Sequence, residues 1–479
     1  MKSSSAIRAG LDFPIIDIDG HTIEFEPAVS DYLKETGGRK LLVQFEAWRR
    51  TCLRWYELSL EERRRQRPTR ISWWSLPTKN TLDRATATLP RLRYERMDEL
   101  GLDFTILYPS LGLLLPHIEN EELRRAACRA FNRLNADLHS DYRYRMTHAA
   151  IIPTHTPQEA IAELEYSSDC LGMKVAMCAS YIRRTVQANS KISGTHYWLD
   201  TYGIDSLYDY DPVWSKCAEL KMVPTFHSTG MGWGSRTSIS SFMYNHIGSF
   251  AAAAEPVCKS LFLGGVTRRF PKLRFVFLEG GVGWACSLYS DLAGHWHKRN
   301  RKVLENYDPK NLDVEQLLDL CRRYGSGPIK GAAERQITGV SILGGLFEAP
   351  DMLDEWQQCR IKRAEDIRNL FASKFFFGCE GDDPLNAWAT NIKVNPFDTK
   401  LKVLFGSDMG HWDVPDMTKV VADAYGMVKK GILTEPAFRD FVFANPVSCY
   451  AGLNPAFFKG TAVEKEAAEE LTRARPEGQ

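Results

Sequence analysis

Short apolar runs recur along this sequence, and between most of them the apolar positions return every three or four residues. The runs lie at 14–21, 104–108, 149–153, 173–177, 222–227, 273–279, 374–380 and 402–408. Runs this short, bounded by turn residues and apolar on both faces, fit buried parallel strands. Helical patterns fill most of the gaps, at 121–138, 157–171, 214–220 and 249–263, and Gly101 stops another that precedes the second strand. Eight strands alternating with helices predict an α/β fold, a closed (β/α)8 TIM barrel.

The rhythm covers residues 12–460 as one domain, with insertions at about 41–90, 181–211 and 294–373. The first insertion is charged and helical to residue 72, and its run Glu61-Glu62-Arg63-Arg64-Arg65 suits a solvated helix face. From Trp73-Trp74 to Pro90 it reads as a long loop, either a lid or a surface excursion. The second insertion is aromatic and glycine-bearing, and the third is too long for a plain connection and must hold helices of its own. Residues 464–479 read as a charged flexible tail.

Composition narrows the class. Hydrophobic residues make up 44% and charged residues 25%, an ordinary globular balance, and the formal net charge is +1. That charge gives no field for nucleic acid or an anionic membrane, and no apolar run is long enough for a membrane helix. Eleven scattered cysteines without CxxC pairs suit buried thiols in a reducing compartment, so the expected location is the cytoplasm. The expected partner is a small-molecule substrate; assembly into a homo-oligomer stays open.

In such barrels chemistry sits at the carboxyl ends of strands. Reading those ends in order gives Asp19 and His21, then Lys174, His227, Glu279 and Asp408. Asp17, Asp19 and His21 alternate along one strand and share a side, so Asp19 and His21 could grip one metal ion. Polar capping of a strand end would explain that motif alone equally well. Several buried carboxylates together are another matter, because without a cation their desolvation is costly. His411, three residues beyond Asp408, suits an acid–base, ligand or supporting role. The loop Ser228-Thr229-Gly230-Met231-Gly232-Trp233-Gly234-Ser235-Arg236 fits no phosphate-binding fingerprint. It reads as an active-site loop carrying Trp233 and Arg236 toward substrate, Arg236 being able to pair with a carboxylate. His246 is a further candidate for substrate contact, whereas His295 and His297 suit packing or surface hydrogen bonds, and Glu380, Asp382 and Asp383 suit solvated loops.

The segments Ile16-Asp17-Ile18-Asp19-Gly20-His21, Phe226-His227, Glu279-Gly280-Gly281-Val282-Gly283 and Gly406-Ser407-Asp408-Met409 resemble the amidohydrolase superfamily. The likeness is to the branch holding aminocarboxymuconate semialdehyde decarboxylase, with Met97-Asp98-Glu99-Leu100-Gly101-Leu102-Asp103 as a further landmark. It spans residues 12–300 and 374–460 and implies a distorted barrel, its mouth covered by helical and loop insertions, with a metal site held by Asp19, His21, His227 and Asp408. It also implies Asp408 as proton acceptor and Glu279 as acid–base residue or ligand of a second ion. Lys174 falls where two-metal members carry a bridging group, although a lysine paired with an acid would look the same. Two positions depart from the branch: Asp19 replaces the first histidine of His-x-His, and Glu279 replaces a histidine before the glycines. Both add oxygen ligands, which favours one or two divalent ions of iron or manganese while leaving zinc open. The expected function is a metal-dependent hydrolase or carboxy-lyase acting on a small, mainly apolar or aromatic organic acid. A di-iron oxygenase on the same fold and a metal-stabilised binding protein without turnover are the alternatives.

Overall fold

The computed structural model describes residues 2–72, 78–186, 197–308, 311–330 and 354–473. Its strands are β1 (Ile16–Thr22), β2 (Phe104–Pro109), β3 (Met146–His148), β4 (Ala150–Ile152), β5 (Val175–Cys178) and β6 (Ile182–Thr185). They continue with β7 (Tyr197–Asp200), β8 (Val223–Phe226), β9 (Phe275–Phe277), β10 (Phe375–Glu380) and β11 (Lys402–Gly406). One parallel run is β1-β2-β3 and the other is β4-β5-β8-β9-β10-β11. β3 and β4 are one strand interrupted at Ala149, whose amide donates to the Leu107 carbonyl at 2.9 Å. The two runs are therefore eight parallel strands in sequence. Their outer members meet where the Asp408 amide donates to the Asp19 carbonyl (2.9 Å) and the His21 amide to the Met409 carbonyl (3.0 Å). This is an α/β barrel.

The strands are buried because they are apolar on both faces, as parallel strands under helices must be. Phe226, Phe277 and Phe377 come from three neighbouring strands and stack at 5.5 and 6.0 Å between centroids. The cysteines are free and mostly buried. Among the described residues, no helix is long and apolar enough to cross a membrane.

The insertions depart from the sequence reading in detail. The first helix begins well before residue 41, as Glu26–Glu57, and breaks its helical geometry at Gly38 (φ 73°). Helix Leu60–Gln66 follows, its start closed by reciprocal bonds between Ser59 and Glu62. The loop expected up to Pro90 instead contains helix Thr81–Thr88, capped by Asn80, while residues 73–77 lie outside the described residues. In the second insertion β6 and β7 form an antiparallel hairpin, with 187–196 outside the described residues. The third contains helices Val314–Tyr324 and Glu365–Phe371; residues 309–310 and 331–353 lie outside. The expected tail is corrected over Glu464–Arg473. That segment is a helix, buried at Ala467 and tied to Arg439 through Glu470, because Ala467 and Leu471, four residues apart, pack on the core; residues 474–479 lie outside.

Asp17 shares the strand face of Asp19 by alternation but serves the scaffold. Its carboxylate accepts from Thr105 Oγ1 (2.7 Å), Ser407 Oγ (2.8 Å), the Ser407 amide (2.9 Å) and the Asp19 amide (3.1 Å). It thus ties β1 to β2 and to the end of β11, the two places that carry Asp19 and Asp408. Gly20 makes room for this knot: a Cβ there would stand 2.8 Å from Asp17 Oδ2 and 3.0 Å from Thr105 Oγ1. Asp17→Ala strands several buried donors, so its unfolding free energy, measured by chemical denaturation, is expected to fall by about 2–4 kcal/mol. A loss below about 0.5 kcal/mol, the range of an ordinary surface change, would show that the knot is not structural.

Candidate metal centre

Four strand ends deliver one cluster. β1 supplies Asp19 and His21, two residues apart and so on one face; His227 follows β8, Glu279 lies two residues past β9, and Asp408 two past β11. His21 Nε2 lies 3.2 Å from Asp408 Oδ1, 3.6 Å from Asp19 Oδ1 and 3.4 Å from His227 Nε2. His227 Nε2 lies 3.5 Å from both Asp19 Oδ1 and Glu279 Oε2. Donor atoms of Asp19, His21 and His227 all fall within 4.8 Å of one another, and so do those of His21, Glu279, Asp408 and His411. His411 stacks on His21 at 3.7 Å, sets Nδ1 2.6 Å from Asp408 Oδ1 and aims Nε2 at Ser110 Oγ, 3.2 Å away.

Two of these residues sit in left-handed backbone: Glu279 at φ 57° and Asp408 at φ 48°. A non-glycine residue there costs of order 1–3 kcal/mol, and such strain gathers at functional sites. Here it turns two carboxylates off their strand ends into the cluster.

The electrostatics are those of a site short of positive charge. Burial raises Asp19, and it raises Glu279 well above the usual carboxylate range with further help from Asp408 and Asp19. Burial would raise Asp408 too, but His411 and His21 beside it outweigh that and hold it low. Burial, then His411, holds His21 well below the ordinary histidine value. Asp19 Oδ1, Glu279 Oε2 and Asp408 Oδ2 are buried and accept no hydrogen bond among the described residues. Such oxygens each cost on the order of 1–3 kcal/mol, more when charged. A divalent cation answers both deficits, and the imidazole-and-carboxylate donor set suits one. Asp19, His21, His227, Asp408 and Glu279 are the residues that would hold it, with His411 alongside.

Lys174 does not belong here, and its assignment as a metal ligand is corrected. β5 begins at Val175, so Lys174 stands at the strand's amino end, on the opposite side of the barrel, where Nζ donates to the Phe457 carbonyl at 2.7 Å. The three residues expected to meet substrate lie around the cluster rather than in it. Trp233 packs edge-on against Tyr181 at 4.8 Å, Arg236 is tied to the Ile247 carbonyl at 3.0 Å, and His246 packs against Trp412 and stands 3.9 Å from Asp413. His295 Nδ1 is bonded to the Asp291 carbonyl on its own helix.

Two carboxylates escape a reading of strand ends. Glu24, just past β1, accepts from the Leu111 and Gly112 amides at 3.0 Å each, and burial pushes its carboxyl up to about 7. Asp413 is pushed up to about 9 by burial and by Asp408. The signal for Glu24 is its place three residues after His21; Asp413 has none, because the loop Gly410–Asp413 folds back only in three dimensions. Glu24, Ser110 and His411 open on a cavity of about 200 Å³ walled by Phe45, Leu53 and Leu111. Glu46 lines the same cavity, and the guanidinium of Arg49 on its wall is paired with Glu26 at 2.5 Å.

A family model described as Amidohydrolase matches residues 16–309. No curated protein matches in sequence. A solved amidohydrolase from Mycobacterium avium subsp. paratuberculosis K-10 is 16% identical over 92% of this chain and 98% of its own, with a TM-score of 0.52. A dihydroxybenzoic acid decarboxylase from Polaromonas sp. JS666, solved with manganese and 2-nitroresorcinol, is 14% identical over 91% and 97%, with a TM-score of 0.48. The 4-oxalomesaconate hydratase of Rhodopseudomonas palustris is 16% identical over 95% and 99%, at 0.47. At 16% identity the likeness to the amidohydrolase, with its TM-score above 0.5, speaks for the fold alone.

Proposed function

This chain belongs to the amidohydrolase family, and on that premise we propose that it hydrolyses a neutral bond, such as an amide or ester, in a mainly apolar substrate. The family and the cluster together make it an enzyme, a metal-dependent hydrolase or lyase. The observation that carries the narrower reading is the His411–Asp408 pair, 2.6 Å apart beside the buried ligands and facing the cavity.

A divalent ion held by Asp19, His21, His227 and Asp408 supplies a Lewis acid that polarises a substrate carbonyl and acidifies water. The chain's own groups do the rest. Asp408, held ionised, orients the His411 ring, and His411 Nε2 is the atom placed to take a proton from water and return it to the leaving group. Phe45, Leu53 and Leu111 receive the apolar body of the substrate and exclude bulk water.

Charge favours a neutral substrate over the organic acid expected from sequence. Asp19, Glu279 and Asp408 carry three negative charges when ionised, so one divalent ion leaves this cluster net negative. Glu24 and Glu46 add acids along the cavity, while Arg49 already faces Glu26. A substrate carboxylate would meet repulsion there. A donor set this rich in oxygen favours manganese or iron.

The test is a panel of neutral aryl and alkyl amides and esters beside matched carboxylic acids, assayed with the metal-loaded enzyme. Hydrolysis products from the neutral set, with no carbon dioxide from the acids, are expected. Carbon dioxide release from an acid would overturn hydrolysis in favour of a lyase. A second reading rests on the two ligand groups that meet at His21: one ion on Asp19, His21 and His227 and another on Glu279, Asp408 and His411 would make a two-metal site. Two irons there would suit oxygen activation and hydroxylation, and oxygen consumption coupled to substrate loss would establish it.

A further inference from the structure

The barrel has a second cavity at its other end. It measures about 170 Å³ and lies against the amino ends of β2, β3 and β5, beside Phe104, Met146 and Lys174. Its nitrogen-bearing side chains are Asn135, His139, Arg143, His148, Lys174 and Lys459, and among the described residues no carboxylate lines it. That composition is unusual for a chain with 61 basic and 60 acidic residues, where cations generally find acids beside them.

The cations here are held by carbonyls instead. Lys174 Nζ donates to the Phe457 carbonyl at 2.7 Å, and Arg143 Nη2 to the Leu171 carbonyl at 3.1 Å. The backbone bends close to admit the guanidinium: Gly172 is left-handed (φ 67°), and a Cβ there would stand 3.2 Å from Arg143 Nη1. Burial, and then Arg143 itself, pulls the Lys174 ammonium below its ordinary value.

Lys174 is half-buried, and Arg143 and Lys459 are exposed on the open side of the cavity. The cations call for an oxyanion. We infer that this cavity is a binding site for a small oxyanion, either a phosphate or a carboxylate. It is separate from the metal centre, since it lies at the amino ends of the strands whose carboxyl ends bear the ligands. It also accounts for Lys174, the residue before β5 that the metal cluster does not use.

Calorimetric titration of the metal-loaded enzyme with inorganic phosphate, and separately with glycolate, tests the assignment. At least one is expected to bind, the better one telling phosphate from carboxylate. Lys174→Met and Arg143→Gln are each expected to weaken it by ~10-fold or more, the loss of one charge-assisted contact. Lys459→Gln, in an exposed position, is expected to weaken it less without disturbing the fold, and metal content is expected to stay at the wild-type value in all three. Absence of binding for both probes up to ~10 mM would overturn the inference. So would binding that survives Lys174→Met and Arg143→Gln, and so would binding abolished by chelating the metal, which would place the anion at the other mouth.

Discussion

Asp408→Asn is expected to lower turnover by ~1,000-fold or more, because one change removes a ligand charge and the partner of a proton-transferring imidazole. Asp408 Oδ1 stands 3.2 Å from His21 Nε2 and 2.6 Å from His411 Nδ1, so it joins the metal cluster to the acid–base pair. The amide has the same shape, so the barrel should hold and the melting temperature should move little. His411→Gln separates the two duties. It is expected to cost ~100-fold or more in turnover while metal content stays at the wild-type value, since the other ligands are intact. Steady-state kinetics beside metal analysis of both variants checks this. An Asp408→Asn enzyme within tenfold of wild type would remove Asp408 from the chemistry.

The second large effect belongs to His227. Its ring reaches Asp19 and Glu279 at 3.5 Å each and faces His21 at 3.4 Å, so it joins the two ligand groups. His227→Ala is expected to weaken metal binding beyond the ~10–100-fold typical of changes one layer further out. Metal binding to the folded form alone raises stability, by about 2.7 kcal/mol at a hundred times the dissociation constant. Added manganese should therefore raise the melting temperature of the metal-stripped wild type and leave that of His227→Ala where it was. Equal shifts in both proteins would show that the imidazole is not a ligand.

Why some of the site is legible in the sequence and some is not follows from geometry. Asp19, His21, His227, Glu279 and Asp408 can be picked out because each ends an apolar run, and in a parallel barrel those ends face one mouth. Lys174 fails for the mirror reason. It stands on the wrong side of Val175, and a shift of a few residues in a short strand moves a side chain from one end of the barrel to the other. Ser110 is invisible, and Glu24, marked only by its place three residues after His21, acquires meaning only when helix Glu26–Glu57 closes the cavity beside His411. The left-handed turns at Glu279 and Asp408 leave no trace either: neither position is glycine, and only the surrounding fold holds them there. The helices at Thr81–Thr88 and Glu464–Arg473 are hidden by composition, polar enough to pass for loop and tail, and are secured by an asparagine cap and by the Arg439–Glu470 ion pair.

The number of ions decides between the two readings of Glu279. A single ion leaves it free for proton transfer, and Glu279→Gln then loses turnover but no metal. A second ion on Glu279, Asp408 and His411 would halve the metal content of that variant.

The most direct test of the account is anomalous diffraction at the absorption edge of the metal that the purified enzyme carries. The account predicts a peak about 2.0–2.3 Å from His21 Nε2, His227 Nε2 and a carboxylate oxygen of Asp19 and of Asp408. A peak elsewhere, or none in a crystal of the active enzyme, would contradict it.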